Sequence, residues 1–333
     1  MKIWCLMPTG EPRVRFFPPE LQTALAALGS VTWNPTAAQY TAEQVAAYIN
    51  DYDVAITGWN SPAIYGRMLT PDTKLKAIIH TAGTIVPFVD AATFAAGVQV
   101  ASANDLFARS VAEGVVAYML AALRDIPYYN AAVHAGRWRP EQFTNAGLYH
   151  KAIGLVGFGA ITKHLIPLLQ SFTSDIRVFS HHPDSAAYAA LHVRAASLDE
   201  IFSDCDIVSL HSALNPQNVH MIGADLLNAL HPGALFVNTA RAGLVDEAAL
   251  LARLQQGDIK AALDVFDQEP LPADHPYRDL ANVLLIPHMA GPTTDWYPEI
   301  GKHTIQQIKR LQAGLPLLDG YDATALKRMT RPL

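Results

Sequence analysis

What most restricts the fold of this chain is a rhythm. Short apolar runs bounded by turn residues alternate with amphipathic stretches, first at residues 2–6, 54–57, 75–80 and 98–101. The rhythm resumes at 152–156, 176–180, 206–210, 234–238, 260–264 and 283–286. Strands this apolar are buried on both faces, and helices on crossover connections are what cover them, so the pattern predicts parallel sheets in an α/β protein. At 333 residues the chain exceeds what one core usually serves, so the two series predict two doubly wound sheets. Between them lies an Ala/Val/Leu/Met-rich helical segment at 110–124, apolar on most of its circumference and placed to bridge the domains. A last helical pattern at 295–313 follows the completed second sheet. It predicts a return to the first domain, giving one domain from 1–101 plus 296–333 and another from 102–295.

The composition excludes several classes. Half the residues are apolar and 16% are charged, the balance of a packed globular protein rather than a disordered one. The net charge of -6 and pI near 6.1 come from charges scattered along the chain, without a basic block to attract nucleic acid or an anionic membrane. The start, Met1 to Leu6, runs at once into Pro8 and Gly10 and reads as a first strand, not as a signal peptide or membrane span. Cys5 and Cys205 sit in apolar strand-like surroundings without metal-ligand spacing. They read as buried thiols of a cytoplasmic protein with no structural metal.

The second series opens with Gly157-Phe158-Gly159-Ala160-Ile161-Thr162, after an apolar strand and before a helical pattern. That is the setting of a dinucleotide loop: Gly157 permits the tight turn, and Gly159 lets the backbone approach a pyrophosphate at the helix N-terminus. An ordinary strand-to-helix turn has the same spelling. Thr162 stands where a third glycine would allow close helix–strand packing, and Pro167 falls inside the same helix, so a displaced or kinked helix is expected. The next strand ends at Ser180-His181-His182-Pro183, without the acidic residue that binds the ribose hydroxyls of NAD. NAD and NADP both remain open as cofactor, with His182 able to accept a 2'-phosphate.

Three later strands each run out into a chemically capable residue. They are Arg241 after residues 234–238, Glu269 after 260–264 and His288 after 283–286. Ligands of open α/β sheets bind at those carboxyl ends. A 2-keto acid needs a fixed cation for its carboxylate and carbonyl, and a guanidinium offers several donors in a fixed plane. It also needs a proton for the alkoxide formed as hydride arrives, and imidazolium gives and retakes a proton near neutral pH. A carboxylate on the other ring nitrogen holds the tautomer and favours the charged form. Singly, Arg241, Glu269 and His288 have ordinary explanations as salt-bridge partner, solvated acid and strand cap. Together, after strands of a dinucleotide-type sheet, they read as substrate binder, partner acid and acid–base. Asp264, at its strand end, reads as a supporting or nicotinamide-side residue.

The segments 238–250, 263–271 and 287–293 resemble the signature blocks of the D-isomer-specific 2-hydroxyacid dehydrogenase family. Ser110-Val111-Ala112-Glu113 resembles its interdomain helix start, and Leu210-His211-Ser212 its cofactor-side strand end. The resemblance implies a flavodoxin-like substrate domain, a Rossmann NAD(P)-binding domain, a cleft between them and commonly a homodimer. It implies the roles above for Arg241, Glu269 and His288. On the cofactor side it implies Gly157, Phe158, Gly159, Ala160, Ile161, His182, His211, Thr239, Ala240, Asp264 and Gly291. It places the substrate carboxylate on a first-domain loop, here Ala82, Gly83 and Thr84, whose small residues suit a backbone anion nest. Trp59, Asn60, His80, Trp138, Trp296 and Tyr297 are candidates for lining the pocket, although large aromatics usually serve cores. The expected activity is reduction of a 2-keto acid to a D-2-hydroxy acid. Alternatives are dehydrogenation of another small anion such as phosphite, or a nicotinamide-sensing corepressor-like protein.

Overall fold

A computed structural model describes residues 1–140, 145–327 and 329. Among them the strands are β1 (Lys2–Cys5), β2 (Ser30–Trp33), β3 (Val54–Thr57), β4 (Ala77–His80), β5 (Gln99–Ser102), β6 (Ile153–Val156) and β7 (Ile176–Phe179). They continue as β8 (Arg194–Ala195), β9 (Ile207–Leu210), β10 (Leu235–Asn238), β11 (Lys260–Leu263), β12 (Val283–Leu285) and β13 (Gly320–Tyr321). The chain divides into two compact units, Met1–Phe107 with Pro292–Leu333, and Ala108–Gly291.

The first unit holds the sheet β13-β5-β4-β3-β1-β2, parallel except for β13, which pairs antiparallel with β5. Its parallel part has the flavodoxin-like strand order. β3 and β4 are buried at every residue, as their unbroken apolar runs require. β2 and β13 have no counterpart in the predicted strands: each lies at an edge of the sheet, and neither is fully buried. The helix Tyr297–Gln312 packs Ile300, Ile305 and Ile308 against Ile3, Cys5, Phe16 and Phe17 of this unit's core. Gly301 permits that approach, because a Cβ there would overlap the Phe16 carbonyl.

The second unit holds the all-parallel sheet β12-β11-β10-β9-β6-β7-β8, the Rossmann order with one further strand. The order reverses direction at β6, so the carboxyl ends of β6 and β9 flank a topological switch point. One face packs Val208, Leu210, Phe236 and Leu263 into one core; the other packs Ile153, Leu155, Val237 and Ala262 into a second. That second core is closed by Ala112, Val115 and Met119 of the helix Asn104–Leu123. Among the described residues this is the one helix long and apolar enough to cross a membrane, and its apolar side is occupied by the unit's own core.

The helix starts at Asn104 rather than at 110, and the units part at Phe107/Ala108 and Gly291/Pro292 rather than at 101/102 and 295/296. The reason is packing. Leu106 and Phe107 belong to the first unit's core, and the Trp296 indole N–H donates to the Leu106 carbonyl at 3.1 Å. Of the expected segment 296–333, residues 328 and 330–333 lie outside the described residues.

Candidate active site

β10, β11 and β12 are consecutive neighbours whose ends are level: Asn238 pairs with Leu263, and Leu263 with Leu285. Parallel pairing therefore delivers the residues after each strand to one rim of the sheet. After β10, the buried Asn238 side chain accepts from the Ala240 amide at 3.0 Å and donates to the Arg241 carbonyl at 3.1 Å. This side-chain turn holds the backbone on both sides of the arginine. The Arg241 guanidinium donates to the Ala240 carbonyl at 2.5 Å. Burial lowers its basicity, and the charge of Glu269 opposes that effect. A guanidinium stays protonated under such pressure, so Arg241 is a fixed cation.

After β11 and β12 the chain brings Glu269 to His288. The imidazole Nδ1 lies 2.6 Å from Glu269 Oε2, the geometry of an N–H donated to a carboxylate, while Oε1 accepts from the Phe266 amide at 3.1 Å. Both side chains are only partly covered, at 47% and 35% exposure, so the ring is held on one side and open on the other. His288 has φ 49°, in the left-handed region that costs a side-chain-bearing residue about 1–2 kcal/mol. Its amide closes a tight turn on the Ile286 carbonyl at 3.0 Å. The structure thus brings Glu269 and His288 into contact and sets Arg241 within electrostatic reach of Glu269.

The glycine loop lies on the same sheet, after β6. Gly157 has φ 110°, and a Cβ there would meet the Ser212 amide at 2.7 Å, so glycine is required twice over. Gly159 has open space where a side chain would be. Ala160 begins the helix Ala160–Leu169, and Ile161 follows in its first turn, half-buried. Phe158 sets its ring edge against Tyr188, with centroids 4.7 Å apart. Thr162 is fully buried and donates to the Gly157 carbonyl at 2.7 Å, so the residue expected to push the helix away instead ties it to the loop. Pro167 is exposed and two residues short of the helix end, and the helix runs continuously through it.

Register and strand parity add a feature invisible in the sequence. Val156 pairs with Leu210, Leu210 with Asn238 and Asn238 with Leu263, so the residues just beyond, Gly157, His211, Thr239 and Asp264, form a level row. His211 donates to or accepts from Ser209 Oγ at 2.9 Å through Nε2, while its buried Nδ1 and the buried Thr239 hydroxyl have no partner among the described residues. Burial drives the His211 pKa down to about 3, which keeps the ring neutral. A cradle at Gly157, open space at Gly159 and two unpartnered polar atoms at the switch point fit a bound dinucleotide. Ala240 is buried, and Gly291 accepts from Ser110 Oγ at 3.0 Å. His181 and His182 are exposed, and the His182 amide donates to Ser180 Oγ at 3.1 Å. The acid two residues on, Asp184, caps the helix Ser185–Ala190 by accepting from the Ala187 amide at 3.0 Å, so it too is engaged away from a ribose.

The loop carrying Ala82, Gly83 and Thr84 lies in the first unit. Its carbonyls are tied back, Ala82 to the Ala103 amide at 3.1 Å and Gly83 to Ser102 Oγ at 2.8 Å. The Ala82 and Gly83 amides donate to no backbone carbonyl among the described residues. In the same unit Trp59, 47% exposed, meets the rings of Phe16, Phe107 and Tyr297 at 5.7, 5.7 and 6.1 Å, joining two of the aromatic candidates. His80 is buried, its ring tilted against Phe88 and bonded to Thr57, so it is a core residue. Asn60 is exposed with φ 61°, and Trp138 is exposed in the second unit. The turn made by Asn238 escaped the sequence reading, where the Asn two residues ahead of the Ala240 amide was the one available signal, and the bond that Thr162 makes to the loop was read there only as an obstacle to packing.

Fold and glycine cradle together define a dinucleotide-binding α/β protein of the Rossmann type. A sequence model described as D-isomer specific 2-hydroxyacid dehydrogenase, NAD binding domain, matches residues 116–290. The chain belongs to that family. It is 32% identical over 277 residues to D-3-phosphoglycerate dehydrogenase of Methanocaldococcus jannaschii, covering 82% of this chain and 52% of the relative. It is 33% identical over 202 residues to glyoxylate/hydroxypyruvate reductase B of Yersinia pestis, covering 59% and 62%. The chain spans about half the length of the phosphoglycerate dehydrogenases it matches. The crystal structure of a phosphoglycerate oxidoreductase from Rhizobium etli shares the fold over the full length of both chains, with a TM-score of 0.82 at 24% identity.

Proposed function

We propose that this protein reduces a small 2-keto acid to the D-2-hydroxy acid with a nicotinamide dinucleotide, using Arg241, Glu269 and His288. The observation that carries the reading is the 2.6 Å pair of His288 and Glu269 on the rim that also holds Arg241. The bound dinucleotide supplies the hydride. Arg241 binds the keto acid and polarises its carbonyl, and its fixed charge stabilises the oxygen as negative charge develops there. His288, protonated and held through Nδ1 by Glu269, donates from Nε2 to that oxygen; in the oxidation direction the neutral ring takes the proton back. Gly157, Phe158, Gly159, Ala160, Ile161, His211, Thr239, Ala240, Asp264 and Gly291 form the proposed dinucleotide surface. His182 sits at its ribose end, where no carboxylate opposes a 2'-phosphate. The unit Ala108–Gly291 is thus the proposed dinucleotide-binding domain, and the unit with Met1–Phe107 the substrate domain. In the latter the Ala82, Gly83 and Thr84 turn is a proposed anion-binding loop. A cytoplasmic homodimer is the proposed working form.

The test is a panel of 2-keto acids with NADH and NADPH side by side, with phosphite oxidation as a further arm. The names of the relatives put glyoxylate, hydroxypyruvate and its 3-phosphate first. Turnover of at least one 2-keto acid is expected, with most of it lost in Arg241→Lys, which keeps the charge but not the planar fork. Dinucleotide binding without turnover of any keto acid would favour the corepressor-like reading instead. Near-normal rates in Arg241→Lys would remove Arg241 from its role.

A further inference from the structure

The loop of Ala82, Gly83 and Thr84 turns its first two carbonyls toward the end of β5. The Ala82 carbonyl accepts from the Ala103 amide at 3.1 Å, and the Gly83 carbonyl accepts from Ser102 Oγ at 2.8 Å. In a trans peptide the carbonyl and the N–H that follows it point in opposite directions. Both peptides are trans, so the Gly83 and Thr84 amides are turned away from β5 together. Ser102 is 1% exposed, and its hydroxyl has one hydrogen and two lone pairs. A carbonyl only accepts, so that hydrogen goes to Gly83. The Tyr321 hydroxyl at 3.0 Å and the Asn104 amide at 3.3 Å are therefore donors to Ser102.

Tyr321 lies on β13, opposite Val100 in an antiparallel pair, which makes Ser102 its diagonal neighbour on the same face. Two residues of strand do not hold themselves in place. The fully buried Gln307 of the helix Tyr297–Gln312 secures the approach to β13, donating to the Leu318 carbonyl at 2.7 Å and accepting from its amide at 2.8 Å. Burial pushes the Tyr321 phenol up, opposed by the Ser102 bond and aided by the charges of Asp319 and Asp105, so the donor keeps its proton.

We infer that Tyr321 and Ser102 are positioning residues for the anion-binding loop: the relay from the Tyr321 O–H through the Ser102 O–H to the Gly83 carbonyl fixes the peptide whose N–H meets the substrate carboxylate. This rests on the proposed reading of that loop as the carboxylate site of a dehydrogenase. Successive hydrogen bonds polarise one another, and a carbonyl drawn into such a chain leaves the N–H of the same peptide a stronger donor. The two side chains act through Gly83, so their effect belongs in substrate binding and not in the chemical step.

Tyr321→Phe keeps the ring and removes one donor. In the holoenzyme it should raise the KM for the keto acid about threefold or more, with kcat and the dissociation constant for NADH or NADPH within about twofold of the wild type. Ser102→Ala strips the Gly83 carbonyl of its donor and should raise KM about tenfold or more. With the relay already cut, adding Tyr321→Phe to Ser102→Ala should change nothing further. A wild-type KM in Tyr321→Phe, a kcat and dinucleotide constant that shift together with KM, or additive effects in the double variant would each overturn the relay. Should Ser102→Ala fail to fold, Tyr321→Phe decides alone. If the wild type turns over no keto acid, the dehydrogenase reading fails, and oxalate, an unreactive dicarboxylate, tests the relay by itself. Titrated into the whole chain, it should shift the Gly83 and Thr84 amide resonances and bind Tyr321→Phe about threefold more weakly. Oxalate that leaves those resonances in place in the wild type, or that binds both proteins equally, would overturn the relay.

Discussion

His288 shows how its surroundings fit a single residue for a proposed function. Its ring is partly exposed, its backbone is in an unfavourable region, and one nitrogen is 2.6 Å from a carboxylate. A backbone strain of this kind persists only where neighbours over-determine it, and here the neighbours are Glu269 on the ring and Asp264 on the following amides. Glu269→Gln retains a hydrogen-bond acceptor and removes the charge. The rate of reduction should fall on the order of a hundredfold. Steady-state reduction rates of the variant beside the wild type measure this, and a rate equal to the wild type's would separate Glu269 from the proton transfer. The residue types were legible in the sequence because each follows an apolar run. Their pairing was expected from the chemistry, but its 2.6 Å geometry was not legible, since it depends on two loops meeting in space.

At the scale of elements, the helix Ala160–Leu169 departs twice from the ideal dinucleotide pattern and forms regardless. Thr162 replaces a glycine with a buried hydroxyl whose bond to the Gly157 carbonyl secures the turn. Thr162→Val has nearly the same shape and leaves that carbonyl without its donor. It should cost about 1–2 kcal/mol in urea unfolding and weaken dinucleotide binding; equal stability would show that the hydroxyl is dispensable. Pro167 removes one helical donor close to the helix end and on the exposed side. The strands seen from sequence are mostly buried ones, although β12, half-buried at a sheet edge, was also seen through its apolar run. The strands not seen are β2, β8 and β13, which have four, two and two residues and lie at sheet edges. An edge strand needs only half an apolar pattern, and two residues carry no periodicity at all.

For the whole molecule, each unit buries a neutral imidazole, His80 in the first and His211 in the second, both driven down to about 3 by burial. The partly buried His303 is lowered in the same sense. In the unfolded chain a histidine takes its proton near about pH 6.5. Between that pH and about 3 the unfolded state therefore binds more protons than the folded one, and stability falls as pH falls. Each such histidine should remove about 1.4 kcal/mol per pH unit well below 6.5. Urea unfolding between pH 7.5 and 5, above the range in which carboxylates titrate, should show this decline. A flat curve over that interval would mean that these rings are not buried as neutral groups.

Unbroken apolar runs dictate buried parallel strands, and turn residues between them dictate where crossovers begin, so the α/β class and the order of the predicted strands followed from the sequence alone. The three side chains proposed to carry the chemistry were singled out there too, because each follows the end of such a run. Tertiary structure decided what depends on register. Pairing Leu210 with Asn238 and Asn238 with Leu263 sets His211, Thr239 and Asp264 level, and only then do a carboxylate's two oxygens reach the amides of Met289 and Ala290. Local propensity is a property of neighbours along the chain, whereas a hydrogen bond across 25 residues exists only after the sheet has chosen its alignment.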